Sequence, residues 1–372
     1  MTLYEVLAQA VAQGASDIHL HVGLPIMIRR DGRLQPFGSA RLTPQVTATL
    51  LESWCSERHL ALFKERHQVD LSYGMSGVAR FRVNFFLQRG SISAVLRVIT
   101  SGEDKLSLVR LSQETLEYFR DQEKGLVLVT GPTGSGKSTT LARILHEINR
   151  AHEKMIITIE DPIEYLYRSE KSVIVQRELG EDTLGFHEAL VSAMRQDPDV
   201  IMIGEIRDHA TAAAALEAAQ TGHLVFSTLH TLDAVRTVNR LLDLFPPHER
   251  AMARILFAES LVGIISQRLL PSPLGGRVAA MEILKGTLRI REMIKDPEKT
   301  HGLYEALRDA RLDGMQTFDD HLGELYRAGL VDYETAMSNA TSRQYFKVLA
   351  LQIDNERGSE TPESGMTRIL PG

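Results

Sequence analysis

The sequence predicts an α/β protein, in which a mostly parallel sheet covered on both faces by helices follows a smaller α+β domain. Three observations predict it. Beyond about residue 113, apolar runs alternate with stretches of helical spacing, as in a parallel sheet with crossover helices. One of those runs, Leu126 to Val129, breaks into a glycine-rich turn and then a helix. Before about residue 100 the runs are mostly short, of period two and joined by tight turns. The chain has 372 residues, 43% of them hydrophobic, enough for two cores. The expected division is 1–100 for the first domain, 101–112 for a linker and 113–354 for the second domain with its C-terminal helices. Residues 355–372 are rich in Gly, Ser, Glu and Pro without periodicity and read as a disordered tail.

In order, Leu3, Leu7 and Ala10 make an amphipathic first helix that Gly14 ends. Ser16 to Val22 alternates strictly, with Ile18, Leu20 and Val22 inward and His19 and His21 on the other face. Two histidines at i, i+2 are able to bind metal, but with no third ligand nearby a solvated or interface face is the reading adopted. Asp31-Gly32 signals a type I′ turn between Ile26–Arg30 and Arg33–Gln35. Thr43-Pro44 opens a helix with Val46, Leu50, Leu51 and Trp54 on its apolar face. Val69–Tyr73, Ala79–Gln88 and Ser91–Ile99 are three further strands. If the last two form a hairpin turning at Arg89-Gly90, Arg82 lies opposite Arg97. Like charges so opposed need a negative group between them, either a bound anion or a carboxylate of the same domain such as Asp70.

The polar stretch 101–112 leads to a helix over Gln113–Arg120. Beyond the glycine-rich turn the expected strands are Met155–Ile159, Ser172–Gln176, Val200–Ile203, Leu224–Thr228 and Arg277–Leu284. The expected helices are Thr183–Arg195, Ala210–Thr221 with Gly222 as its cap, and Pro247–Leu269, with shorter ones to Asn339.

Composition narrows the function. A net charge of −6 and a pI near 6.1 argue against a chain that lives on nucleic acid. A single cysteine, Cys55, excludes a disulfide framework and a Cys-based zinc site, and reads as a buried structural thiol. The N-terminus has no basic n-region, and no apolar run approaches the ~20 residues that span a bilayer. The expectation is a cytoplasmic protein without direct membrane insertion, peripheral at a membrane only through a partner.

The chemistry concentrates in four stretches. Gly131, Pro132, Thr133, Gly134, Ser135, Gly136, Lys137 and Ser138 fit G-x-x-x-x-G-K-[ST] in its strand-to-helix setting. Glycines let backbone N–H groups surround phosphate oxygens, and the helix N-terminus adds positive potential. Lys137 would reach the β- and γ-phosphates of a nucleoside triphosphate, Ser138 would ligate Mg²⁺, and Thr139 continues the cradle. Glu160-Asp161-Pro162-Ile163-Glu164 concentrates three carboxylates, suited to Mg²⁺ held through water. Asp197 to Asp208 holds a buried strand that ends in an acid, the Walker B pattern, in which Gly204-Glu205 replaces the usual pair of acids, which makes Glu205 the candidate to polarise an attacking water and moves the magnesium duty to Glu164. For Glu205 the plainer alternative is an exposed strand-end carboxylate or a partner for Arg207. In Thr221 to Thr231, His223 starts a strand and His230 follows its end, where it would bond the γ-phosphate or Glu205.

These four stretches, in this order, resemble the Walker A, Asp box, atypical Walker B and His box of the type II/IV secretion superfamily of ATPases. Ser-Asp-Ile-His-Leu at 16–20, the short first domain and the lack of a tetracysteine insert are similar to its type IV pilus retraction (twitching motility) members. The resemblance covers the chain to about residue 345. It implies a PAS-like first domain, a RecA-like second domain and a homo-hexamer. ATP would sit between the domains, with Arg82 and Arg97 closing over its phosphates. Arg195 matches a further family arginine, whereas Val191 stands where many relatives carry a basic residue. Arg289 to Asp296 partly matches a helix of the retraction members. The implied function is ATP hydrolysis with Mg²⁺ to power pilus disassembly, the implied partner an inner-membrane platform protein. Pilus extension or type II secretion is the alternative within the superfamily, and a nucleic-acid translocase on the RecA fold the alternative outside it.

Overall fold

The computed structural model describes residues 3–99 and 106–359. Its contacts divide them into two compact units. One holds 3–99 with 159–168 and 176–185; the other holds 106–158, 169–175 and 186–359.

In the first unit the strands are β1 (Asp17–Leu20), β2 (Pro25–Arg30), β3 (Arg33–Arg41), β4 (Gln68–Met75), β5 (Ala79–Gln88) and β6 (Ser91–Ile99). They form one antiparallel sheet in the order β3-β2-β1-β6-β5-β4. Its core gathers Leu7, Ile18, Phe63, Phe81, Phe85 and Leu96, with Trp54 stacked on Tyr73 at 3.9 Å between ring centroids. The turns follow from the residues at their tips. Asp31 and Gly32, then Arg89 and Gly90, all have positive φ, the left-handed pairs that a type I′ turn needs. The second turn sets the β5–β6 register, and Arg82 faces Arg97 as that hairpin requires. The helices are α1 (Leu3–Ala12), α2 (Pro44–Trp54) and α3 (Glu57–Arg66). The sequence reading passes over α3; its start is a Ser56–His59 capping box, with His59 in the place usually held by Glu or Gln.

The second sheet is built of β7 (Gly125–Thr130), β8 (Met155–Glu160), β9 (Val173–Glu178), β10 (Val200–Ile203), β11 (Leu224–Leu229), β12 (Leu261–Pro271) and β13 (Arg277–Lys285). Its order is β13-β12-β7-β11-β10-β8-β9. Strands β12, β7, β11 and β10 are parallel neighbours and β13 is antiparallel to β12, so the sheet is mostly parallel, as expected. The cut between the units passes through β8 and β9. The helices of this part are α4 (Gln113–Arg120), α5 (Lys137–Ala151), α6 (Phe186–Ala193), α7 (His209–Gln220), α8 (Ala234–Asp243), α9 (Arg250–Ser260), α10 (Leu288–Lys295), α11 (Leu303–Asp309), α12 (Phe318–Arg327), α13 (Tyr333–Asn339) and α14 (Arg343–Ser359).

Two expectations are corrected. The helix expected over Pro247–Leu269 is α9 followed by the first nine residues of β12. Nearly all of Leu261 to Leu270 is buried, and a run buried on both faces carries no period to separate helix from strand. Gly263 permits the strand: a Cβ there would stand 2.7 Å from the Leu284 carbonyl oxygen. The tail expected from 355 is still helical to Ser359, because Tyr326 bonds Asp354 at 2.8 Å and Arg327 pairs with Glu356 at 3.3 Å. Residues 360–372, and 100–105 around the expected linker, lie outside the described residues.

Candidate functional site

Three adjacent parallel strands each deliver one chemical element at the carboxyl end, where open α/β sheets bind ligands. The glycine-rich turn leaves β7, Glu205 follows β10, and His230 follows β11 between them. The last two are tied together: Thr228 Oγ1 donates to the Gly204 carbonyl at 2.7 Å, and the Ile206 N–H donates to the Thr228 carbonyl at 3.2 Å.

The turn is a phosphate cradle by construction. Gly131, Gly134 and Gly136 have φ of 147°, 75° and 90°, a conformation that costs side-chain-bearing residues free energy. A Cβ at Gly131 would overlap the Gln267 carbonyl and stand 2.6 Å from Ser135 Oγ, so the close approach to β12 admits glycine alone. Lys137, the first residue of α5, is buried and its ammonium donates to the carbonyls of Gly131 and Pro132 at 2.9 and 3.1 Å. Gln267 Nε2 props the turn from below with a bond to the Ser135 carbonyl at 2.7 Å. Ser135 Oγ and Gln267 Oε1 are buried with no hydrogen-bond partner among the described residues, polar atoms that a ligand in the turn would be positioned to serve. Pro132, Thr133 and Gly134 form its exposed rim, and Ser138 and Thr139 are half-buried at the start of α5. This cradle fits a phosphate chain.

Glu205 meets both of its expected neighbours. One carboxylate oxygen contacts Arg207, and the other lies 3.5 Å from His230 Nε2. His223 instead bonds the Ala218 carbonyl through Nδ1 at 2.9 Å, closing the end of α7, which is a structural duty. Arg195 is exposed, and no hydrogen bond or ion pair joins it to another described side chain.

In the first unit, Arg82 and Arg97 are both exposed on one face of the sheet. A carboxylate does sit beside them, but it is Asp17 on β1 and not Asp70. Arg97 Nε bonds Asp17 Oδ1 at 2.9 Å, while Asp70 accepts from Asn84 at 3.2 Å. Burial acts to raise the Asp17 pKa, but hydrogen bonds from Arg97 and Ser16 outweigh it and hold the carboxyl below its usual range. Arg82 has no carboxylate oxygen within 4.0 Å among the described residues. His19 and His21 share that face, with burial lowering the pKa of both. Cys55 is half-buried and burial pushes its thiol up to about 11, so it is not a reactive group.

Glu164 is exposed on the loop after β8, in the first unit with the arginines, and its carboxylate forms no hydrogen bond with a described residue. No group of three His, Cys, Asp or Glu side chains among the described residues converges to hold a metal. Mg²⁺ takes oxygen ligands and keeps several waters, and the carboxylates of Glu164 and Glu205 and the Ser138 hydroxyl are oxygen donors of that kind. Sequence reasoning missed Gln267, hidden in the stretch read as helix, and the buried Glu178, whose partners lie far along the chain.

Residues 1–275 match the family model described as "Type II/IV secretion system protein". The chain is 45% identical over 347 residues to the type IV pilus retraction ATPase PilT of Pseudomonas aeruginosa, covering 93% of this chain and 100% of that protein. It is 42% identical to a twitching motility protein of Neisseria gonorrhoeae, covering 86% and 85%. The crystal structure of the pilus retraction motor PilT with bound ADP superposes with a TM-score of 0.83 at 44% identity, over 94% of this chain and 99% of that one. The chain belongs to the type II/IV secretion system protein family.

Proposed function

We propose that this member of the type II/IV secretion family is a Mg²⁺-dependent ATPase that powers type IV pilus retraction as a homo-hexamer. The observation that carries the reading is the phosphate cradle, with three left-handed glycines and a lysine at the first position of α5. Its similarity to the retraction ATPase of Pseudomonas and to the twitching motility protein of Neisseria supports the retraction assignment. The ADP in the similar PilT crystal structure supports nucleotide as the ligand.

In this reading the backbone amides of Gly131 to Thr139 bind the phosphates and Lys137 leaves the carbonyls of its own turn to pair with them. Glu205 accepts the proton of the attacking water, and His230, beside it, links that carboxylate to the end of β11. Arg82 and Arg97 neutralise the outer phosphates and Arg195 adds a further positive charge. Ser138, Glu164 and Glu205 are the residues that would hold a magnesium ion, partly through water, whose charge assists the phosphate chemistry. The domain limits follow the same reading, with 1–100 PAS-like and 113–354 RecA-like, and 101–112 joining them. No described helix is long and apolar enough to cross a membrane, and we assign the cytoplasmic face of the inner membrane, reached through a platform protein of the pilus machine.

Deleting the gene tests the reading. Cells that carry excess surface pili and no longer twitch support retraction. Bald cells overturn it in favour of extension. ATP turnover of the purified chain, and its loss in Lys137→Ala, test the enzyme itself.

A further inference from the structure

We propose that Arg80 and Glu178 form a latch that positions the acidic loop 160–165, so that Glu178, which touches no substrate, sets where Glu164 stands. The inference rests on the reading of Glu164 as a magnesium-side carboxylate. Glu178 ends β9 and is almost wholly buried. Its Oε2 receives Arg80 Nη2 at 2.8 Å and the N–H of Ile163 at 3.4 Å, and its Oε1 accepts from Ser72 Oγ. Its own N–H donates to Asp182 at 2.8 Å. A buried carboxylate is tolerated only when paired and hydrogen-bonded, so moving any one partner exposes the charge to a large penalty.

The turn after Glu178 is stitched down as well. Arg58 donates to the Gly180 carbonyl at 2.8 Å, His59 Nε2 lies 3.3 Å from Glu181, and the Ser72 N–H reaches the same Glu181 oxygen at 3.4 Å. On the other side Gln176 brackets the loop, donating to Glu160 at 3.1 Å and to the Tyr165 carbonyl at 2.7 Å. The loop backbone is thus gripped at Ile163 and Tyr165, while the Glu164 carboxylate between them has no partner among the described residues. Arg80 stands two residues before Arg82 on β5, hence on the same face of the sheet. One strand therefore carries Arg82 and, through Arg80 and Glu178, holds the loop that carries Glu164.

The test uses the full chain with Glu178→Gln, Arg80→Lys and Ser72→Ala. In nucleotide-free protein, hydrogen exchange of the peptide spanning 159–165 should accelerate about tenfold in Glu178→Gln, with peptides of α5 unchanged. The Mg²⁺ concentration for half-maximal turnover should rise about fivefold at an unchanged KM for ATP, and Arg80→Lys, which keeps the charge, should fall between the two. A folded Glu178→Gln chain with unaltered loop exchange overturns the latch, as does a loss of kcat that tracks melting temperature without moving the Mg²⁺ dependence. If Glu178→Gln does not fold, Ser72→Ala, which keeps the ion pair, should still speed loop exchange about threefold, and no change there overturns it. Should the wild-type chain prove unable to hydrolyse ATP, the function reading falls while the exchange measurement still decides the latch.

Discussion

The glycine-rich turn of the second unit and the arginine face of the first are both proposed to bind phosphate, yet they are built in opposite ways. The turn is local: glycines of positive φ and the N-terminal residue of the following helix lie within one short stretch, and remote support comes from the Gln267 side chain and from the Leu229 carbonyl, which accepts from the Gly131 N–H. Arg82 and Arg97 become neighbours only through the register of two strands, and they are unequal once there. Arg97 is tied to the buried Asp17, whereas Arg82 has no such partner among the described residues. A site assembled from distant strands thus shares one of its residues with the stability of the fold, while the local turn keeps ligand chemistry and folding nearly separate.

Lys137→Ala strikes the local side and carries the largest expected effect: turnover should fall at least ~100-fold, read by phosphate release, with little change in melting temperature. A turnover within a few-fold of wild type would break the assignment of the turn. The arginines sharpen the contrast. Arg82→Ala and Arg97→Ala should each lower kcat about tenfold or more, but Arg97→Ala alone should also cost about 1 kcal/mol in denaturant unfolding, because it strips the half-exposed pair from Asp17. Equal stability of the two variants would show that Arg97 is as free as Arg82. Gln267→Ala, the remote prop of the turn, should raise KM for ATP several-fold through loss of one hydrogen bond to the Ser135 carbonyl.

The smallest expected effect is in pH dependence, and it again separates the units. In the first, burial lowers His19 and His21, so an unfolded chain takes up protons that the folded one refuses, and stability falls as pH drops through about 6.5. Asp17, also lowered, adds a loss at still lower pH. In the second unit two groups oppose each other. Burial lowers His321 to about 4, which costs stability as pH falls from 6.5 towards 4. Burial raises Glu282 to about 7 from 4.5, so its folded form already holds the proton and stability is gained as pH falls from 7 towards 4.5. Each is worth about 3 kcal/mol across its window. Between pH 7 and 5 the first unit should therefore lose protection in hydrogen exchange, corrected for intrinsic rates, while the second stays nearly level. His321→Gln should tip the second unit towards gaining stability on acidification; a slope like that of the parent would sink this account.

Much of the site is legible in the residue order. The phosphate cradle, the acid at the end of the Walker B-like strand and the β5–β6 register each rest on a short-range rule: a turn chemistry, a strand end, a two-residue hairpin. What escaped lies where period fails or partners are remote. Strand β12 is hidden in the sequence because a run buried on both faces looks alike as helix or strand, and Gln267 is hidden with it. Helix α3 starts from a capping box completed by a histidine, a weaker signal than the usual acid.

Strand, turn and helix chemistry by themselves determined the fold class, the phosphate cradle and the pairing of Arg82 with Arg97, because each depends on neighbours a few residues apart or across one tight turn. Only the tertiary structure decided that Asp17 rather than Asp70 answers Arg97, that Glu205 lies between Arg207 and His230, and that a buried Glu178 joins Arg80 to the acidic loop. Those partners are chosen by desolvation and distance in the packed chain, quantities that no local spacing of residues contains.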